Sequence, residues 1–323
     1  MTAPWETSAY WLRVGYQRGR PVNLPRGKRA PLPDVDQDPM VLDVPVVANF
    51  GGGVNSTAFL IEWVRAGHRL DLVVFSDTGG ERPETYDHVG YFSWWLVQQG
   101  APPVTIVRYH KRDGTPVTLE NRSLTTKRLP SLAYGFKKCS QRFKRDPVIR
   151  YLNNWQPAKG TWLSGRRVIQ LIGYDADEPH RMKRQQEREA ELKGKLEAAL
   201  TGDVKLVRDR TLTDARKFLF RYPLIETDYG REECIEVCEE VLNYKPGKSS
   251  CFFCPACKPV EIRDLAKKHP NLLARALAIE TNAESIAGHR PKLGRWRHWG
   301  DLVEKAFVTE SNAAPEVACE CID

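Results

Sequence analysis

Two stretches of this chain hold residues whose types and spacing could do chemistry. In the first, Phe50-Gly51-Gly52-Gly53-Val54-Asn55-Ser56-Thr57, three glycines leave an apolar strand and run straight into the Ser/Thr start of a helix. Val46, Val47 and Phe50 read as the end of a buried strand, and Ala58, Phe59, Leu60, Ile61, Trp63 and Val64 as the apolar residues of the helix that follows. Glycines let successive N–H groups converge, and a helix N-terminus adds its positive dipole end at the same point. The spacing predicts a phosphate cradle in which Ser56 caps the helix and bonds phosphate. It lacks the Lys of G-x-x-x-x-G-K-[ST] and the spacing of G-x-G-x-x-G, so neither fingerprint fits. The plain alternative is a glycine turn that only joins strand to helix. A second apolar strand, Asp71 to Phe75, ends in Ser76-Asp77-Thr78-Gly79-Gly80-Glu81. Two strand ends thus carry small polar residues where ligands gather in open α/β sheets, and the two turns are expected to face one crevice.

The second stretch is Cys251-Phe252-Phe253-Cys254-Pro255-Ala256-Cys257, which packs three of the 8 cysteines at C-x-x-C-x-x-C spacing. Such spacing can hold one metal centre once a fourth ligand arrives from elsewhere. Spacing alone leaves a structural zinc, a [4Fe-4S] cluster and unligated thiols open. Cys234 and Cys238 are four apart in a helical pattern and read as packed core thiols. Cys319 and Cys321 sit in a polar tail.

Several of these segments resemble one family. Gly51-Gly52-Gly53-Val54-Asn55-Ser56 is similar to the S-G-G-x-D-S pyrophosphate loop of the PP-loop ATP pyrophosphatases. Phe75-Ser76-Asp77-Thr78-Gly79, with Pro83-Glu84-Thr85, resembles the D-T-G and P-E-T segments of the phosphoadenosine phosphosulfate reductase branch. Cys139-Ser140-Gln141-Arg142-Phe143-Lys144 with Pro147, and Gly173-Tyr174-Asp175-Ala176-Asp177-Glu178, resemble its C-x-x-x-x-K…P and G-x-x-A-D-E segments. The chain departs from the loop pattern at Gly51, in place of Ser, and at Asn55, in place of Asp. Asn keeps the hydrogen bonding and loses the charge.

The resemblance implies an ATP site at Gly51, Gly52, Gly53, Asn55, Ser56, Thr57, Asp77, Thr78, Gly79 and Gly173, with Asp77 serving the nucleotide or magnesium. It implies that Arg142 and Lys144 offset developing negative charge. It also makes Cys139 the fourth partner of Cys251, Cys254 and Cys257, beside the nucleotide crevice, and tips the metal centre toward [4Fe-4S], with zinc the alternative. The implied chemistry is attack of a substrate oxygen on the ATP α-phosphate, release of pyrophosphate, and displacement of AMP by sulfur. DNA phosphorothioation and tRNA thiolation enzymes use comparable logic. A sulfonucleotide reductase, with Cys321 as its nucleophile, and a non-catalytic nucleic-acid-binding protein on a degenerate PP-loop fold are the other readings.

The elements that must position these residues alternate. Strands over Val104–Tyr109 and Val168–Gly173, and a helix over Glu84–Gln99, join the first two strands in βα units. The expected fold is a doubly wound parallel α/β sheet with a C-terminal helical, cysteine-bearing region. Residues 1–40 read as an extended basic arm, 41–229 as the nucleotide-binding domain with a charged helical insertion near 181–200, 230–310 as the helical region and 311–323 as a flexible tail. Lys111–Lys138 reads as a long basic connection, Phe218–Ile225 as strand-like, and Pro259–Glu280 as two helices.

At 323 residues and 41% hydrophobic, the chain can bury one large core plus an appendage, or two modest ones. It has no apolar run near ~20 residues and no signal-peptide pattern, so it is expected to be cytoplasmic with no membrane partner. A net charge of +8 fits a polyanion, and the interleaved Arg295-Trp296-Arg297-His298-Trp299 fits stacking on DNA or RNA bases. A sulfur-donor protein is a further expected partner.

Overall fold

In the computed structural model the described residues are 43–183, 186–187, 190–191, 216–287, 291–294 and 297–306. The basic arm, most of the charged insertion and the tail with Cys319 and Cys321 lie outside them.

The sheet is all parallel, with strands β1 (Val46–Phe50), β2 (Leu72–Asp77), β3 (Val104–Arg108), β4 (Val168–Ile172) and β5 (Phe218–Arg221) in the order β3-β2-β1-β4-β5. Its central strands read VVANF, LVVFSD and VIQLI and are almost wholly buried, as strands covered on both faces must be. Inside that apolar layer the Asn49 amide donates to Gln170 Oε1 at 2.9 Å, so neither polar group is stranded. The order reverses at β1: β2 and β3 continue to one side of it, β4 and β5 to the other. Such a reversal opens a crevice at the carboxyl ends of the two diverging strands.

The helices are α1 (Val54–Arg65), α2 (Pro83–Gln98), α3 (Leu119–Thr126), α4 (Lys138–Ser140), α5 (Asp146–Leu152), α6 (Gln156–Leu163), α7 (Pro223–Glu226), α8 (Arg231–Leu242), α9 (Pro259–Lys268), α10 (Pro270–Ala287) and α11 (Trp299–Ala306). A π-helical turn, Gln141–Arg145, joins α4 to α5.

The chain divides into two compact units. Among the described residues, the first holds those from 43 to Phe75, Tyr86–Thr105 and those within Tyr151–Gly247; the second holds Ser76–Thr85, Ile106–Arg150 and those from Lys248 on. In the first, α8 packs along α1, burying Cys234, Val237, Cys238 and Leu242. Cys234 and Cys238 therefore are core thiols, with the Cys238 thiol donating to Val54 O at 3.6 Å. This differs from the boundary drawn at residue 230, because the apolar stripe of α8 completes the first core. The second unit is built on Leu119, Leu132, Phe143, Phe252, Phe253, Ile262, Leu265, Leu273 and Trp299.

Two other expectations need correction. Residues 111–138 are not a plain connection: Thr118 caps α3 by accepting from Asn121 N at 3.0 Å, Lys127 ends it in a left-handed conformation, and Ser131–Tyr134 forms a 3₁₀ turn. The strand-like run to Ile225 stops at Arg221, where Pro223 removes a ladder donor and starts α7. Replacing the Thr118 cap, Thr118→Ala, should cost about 1 kcal/mol. Urea unfolding followed by circular dichroism checks this, and an unchanged midpoint would show that α3 does not depend on its cap.

Candidate functional site

The first unit holds the glycine loop. Gly52 takes a left-handed φ of 73°, which suits glycine, and extended Gly53 is the N-cap of α1. Ser56 was expected to cap this helix; it does not, because no side chain caps α1 and Ser56 lies inside its first turn. Its hydroxyl instead accepts from Gly51 N and donates to Gly53 O, both at 3.1 Å, so it holds the loop's curvature. Thr57 lies beneath. Its N–H and its hydroxyl both donate to Gly53 O, at 3.0 and 2.8 Å, and the hydroxyl also meets His88 Nε2 at 2.8 Å. With its own hydrogen given to Gly53, Thr57 must accept from His88, whose Nδ1 then accepts from Tyr244 Oη at 2.7 Å. Burial pushes His88 down to about 3, so the ring is neutral as this chain of bonds requires. Thr57 thus supports the loop from inside the core.

The end of β4 lies next to the same loop. Asn55 donates through Nδ2 to Asp175 Oδ2 at 2.7 Å and accepts through Oδ1 from Arg231 Nη1 at 2.6 Å. Asp177 Oδ2 accepts from Arg231 N at 2.8 Å, at the start of α8, and Glu178 pairs with Arg181 at 3.0 Å. Burial, and then neighbouring Glu178, raise the Asp175 carboxyl above its ordinary value. Gly173 is required by close approach: a Cβ there would stand 2.9 Å from the Phe59 ring and 3.1 Å from Ser56 Cα.

The second turn opens the second unit. Asp77 Oδ1 accepts from Gly79 N at 2.7 Å and Oδ2 from Arg108 Nε at 2.8 Å. Each of these oxygens can accept more than one hydrogen bond, so Asp77 can hold Arg108 and still meet a ligand. Gly79 sits at a φ of 74°, where any Cβ would strike Thr118. Thr78 faces the cysteines, its hydroxyl 3.1 Å from Cys251 Sγ.

The predicted ligand cysteines share this unit. Cys139, Cys251 and Cys254 line one small cavity, together with Thr78, Ser140 and Lys144. Cys257 hydrogen-bonds the Cys254 thiol, which holds it below its ordinary value, while burial pushes Cys251 well up. Among the described residues no three Cys, His, Asp or Glu side chains are drawn to the spacing of a single ion. Lys144 sits at this cavity, 3.7 Å from the buried Glu81 carboxylate, and offsets charge at Cys251. Arg142, on the π turn, is exposed.

The base-stacking expectation moves. Arg295 and Trp296 lie outside the described residues, while His298 and Trp299 are buried. Glu280 accepts from the backbone N–H of Leu293, Trp299 and Gly300, so this stretch builds the start of α11. Exposed aromatics occur instead at Tyr134 and Phe136, among exposed Lys127, Arg128, Lys138 and Arg142. The Lys138 ammonium lies 5.7 Å from the Phe136 ring centre. His88, Tyr244, Asp175 and Arg231 were missed as site residues because they reach the loop only through tertiary packing.

The buried neutral His88 sets a pH dependence. Between its ordinary value of 6.5 and about 3 the unfolded chain takes up a proton that folded His88 refuses. Stability should therefore fall as pH falls through that window, by up to about 1.4 kcal/mol per pH unit. Urea midpoints between pH 7 and 4.5 should drop more steeply for the wild type than for His88→Gln. Equal slopes would mean that His88 titrates freely.

No family model matches the chain, and no characterised protein matches its sequence. Among solved structures it is similar to the U34-tRNA thiolase NcsA from Methanococcus maripaludis, solved with its [4Fe-4S] cluster, at 16% identity and a TM-score of 0.38, over 78% of this chain and 76% of that one. So distant a likeness assigns no role to any residue here. No helix among the described residues is long and apolar enough to cross a membrane.

Proposed function

We propose that this chain is an ATP-dependent sulfur-transfer enzyme of PP-loop type. The observation that carries this reading is the meeting of Cys139 with Cys251 and Cys254 on one cavity that Lys144 also lines. Thiols brought from two distant segments to one cavity can serve together as a ligand set. Cys257, hydrogen-bonded to Cys254, would complete a four-cysteine set for a [4Fe-4S] cluster. When bound, such a cluster supplies redox-active iron and sulfide at that cavity. Thr78 and Lys144 there favour thiolate at Cys251 against the burial that opposes it.

In the first unit, the glycine loop and the N-terminus of α1 would hold the ATP phosphates, with Ser56 keeping the loop open. In the adenylation step an acceptor oxygen bonds to the α-phosphorus, and the bond from that phosphorus to the β-bridging oxygen breaks. Pyrophosphate leaves with the electron pair. A donor sulfur then bonds to the acceptor carbon, and AMP leaves with the carbon–oxygen pair. Positioning and fixed dipoles would supply most of the catalysis.

The acceptor we propose is a nucleic acid, DNA or RNA. Exposed Tyr134 and Phe136, 50% and 60% accessible, lie in the segment that leads to Cys139, among four exposed basic side chains. Aromatic faces beside Lys and Arg suit single-stranded bases and their phosphates.

Protein purified without oxygen should contain about four iron and four acid-labile sulfide per chain, lose them on Cys139→Ser or Cys254→Ser, and release pyrophosphate from ATP when given its acceptor. Tightly bound zinc without sulfide would overturn the cluster, and thiol-dependent sulfite release from adenylyl sulfate would favour a reductase instead. For the acceptor, log affinity for single-stranded oligonucleotides should fall with log salt. The double change Lys138→Gln/Arg142→Gln should reduce that slope by roughly 0.7 per lost phosphate contact. An unchanged slope would remove this surface from the nucleic-acid site.

A further inference from the structure

The β4 end contributes a carboxylate that the loop pattern does not assign. Asp175 is 2% exposed, and its Oδ2 is held by Asn55 Nδ2 at 2.7 Å. Its Oδ1 is buried and has no hydrogen-bond partner. The neighbouring acids are differently placed: Asp177 accepts from Arg231 N, and Glu178 pairs with Arg181. A buried carboxylate oxygen without a donor is costly unless a ligand completes it.

The place of that oxygen says which ligand. Asn55 is the second residue of α1, so Asp175 stands one side chain away from the helix N-terminus and the glycine loop, where an anion is favoured. A carboxylate and a phosphate at such spacing repel unless a cation lies between them. Magnesium and its analogues are held in this way, by one or two carboxylates together with substrate phosphates. Asn55 itself has no charge to give, and its carbonyl oxygen is occupied by Arg231 at 2.6 Å. We propose that Asp175 is the carboxylate that brings a divalent cation to the phosphate loop, in place of the loop carboxylate that Asn55 lacks. The proposal rests on the nucleotide reading above.

Side-chain chemistry allows a clean exchange. Asp175→Asn keeps an acceptor for Asn55 and removes the charge. Asn55→Asp alone sets two carboxylates against each other. The double change Asn55→Asp/Asp175→Asn restores one amide and one carboxylate with their positions swapped, and leaves a carboxylate for Arg231. Mn²⁺ binding, read from the loss of the free-ion electron paramagnetic resonance signal, is measured with a saturating non-hydrolysable α,β-methylene ATP. Binding of the same analogue in EDTA is measured separately for each protein.

Asp175→Asn should weaken Mn²⁺ affinity by at least about tenfold, while analogue binding in EDTA should hold or tighten, because the carboxylate that repels the phosphates without a cation is gone. The exchanged double variant should recover most of that affinity. An Asp175→Asn protein that binds the analogue and holds Mn²⁺ as tightly as the wild type would overturn the assignment. So would a double variant no better than Asp175→Asn while its melting temperature matches the wild type. A wild type that binds no analogue under either condition would strike the nucleotide reading itself and this proposal with it.

Discussion

The ends of β1 and β4 leave the sheet side by side and in the same direction, and the glycine loop depends on how little room that leaves. Ser56 Cα and the Phe59 ring stand so close to Gly173 that no side chain fits there. The two chain ends are then locked by a single amide, Asn55, which reaches Asp175 across 120 residues of sequence and Arg231 across 176. An amide suits this place because it donates on one side and accepts on the other. A carboxylate at position 55 would satisfy Arg231 and repel Asp175. The departure from the usual loop pattern is thus matched by its surroundings.

Beneath the loop, the Gly53 carbonyl gathers three donors: the Thr57 N–H, the Thr57 hydroxyl and the Ser56 hydroxyl. His88 and Tyr244 extend that arrangement into the core. The neutral state of His88 is part of the support, since a cationic ring could not accept from Tyr244. The loop's shape is therefore set by buried bonds, while the N-terminus of α1 is left to meet an anion.

Much of this was legible in the sequence, for physical reasons that differ by element. The strands were, because a parallel sheet covered on both faces writes itself as unbroken apolar runs such as Val46–Val47 and Leu72–Phe75. The break between α9 and α10 was, because Pro270 cannot continue a helix. Helix α3 was not, since its signal is one threonine cap and one buried leucine in a basic segment. The cysteine triplet was plain from its spacing, whereas Cys139 came from the family resemblance alone. Ser56 was misread because the cap is a glycine, whose backbone does the work usually done by a side chain. Asp175, His88 and Arg231 reach the loop only when distant segments fold together, and no local pattern announces that. Trp299 was misread for the converse reason: an aromatic among basic residues looks like a stacking surface until the fold buries it.

The central claim is that the glycine loop at the reversal of the sheet binds the phosphates of ATP. Hydrogen exchange of the backbone amides, resolved at the peptides spanning residues 50–58, tests it most directly. With ATP or pyrophosphate present, the amides of Gly51 to Ser56 should exchange more slowly, while peptides from β5 should be unaffected. ATP binding that leaves those loop amides unchanged would contradict the account.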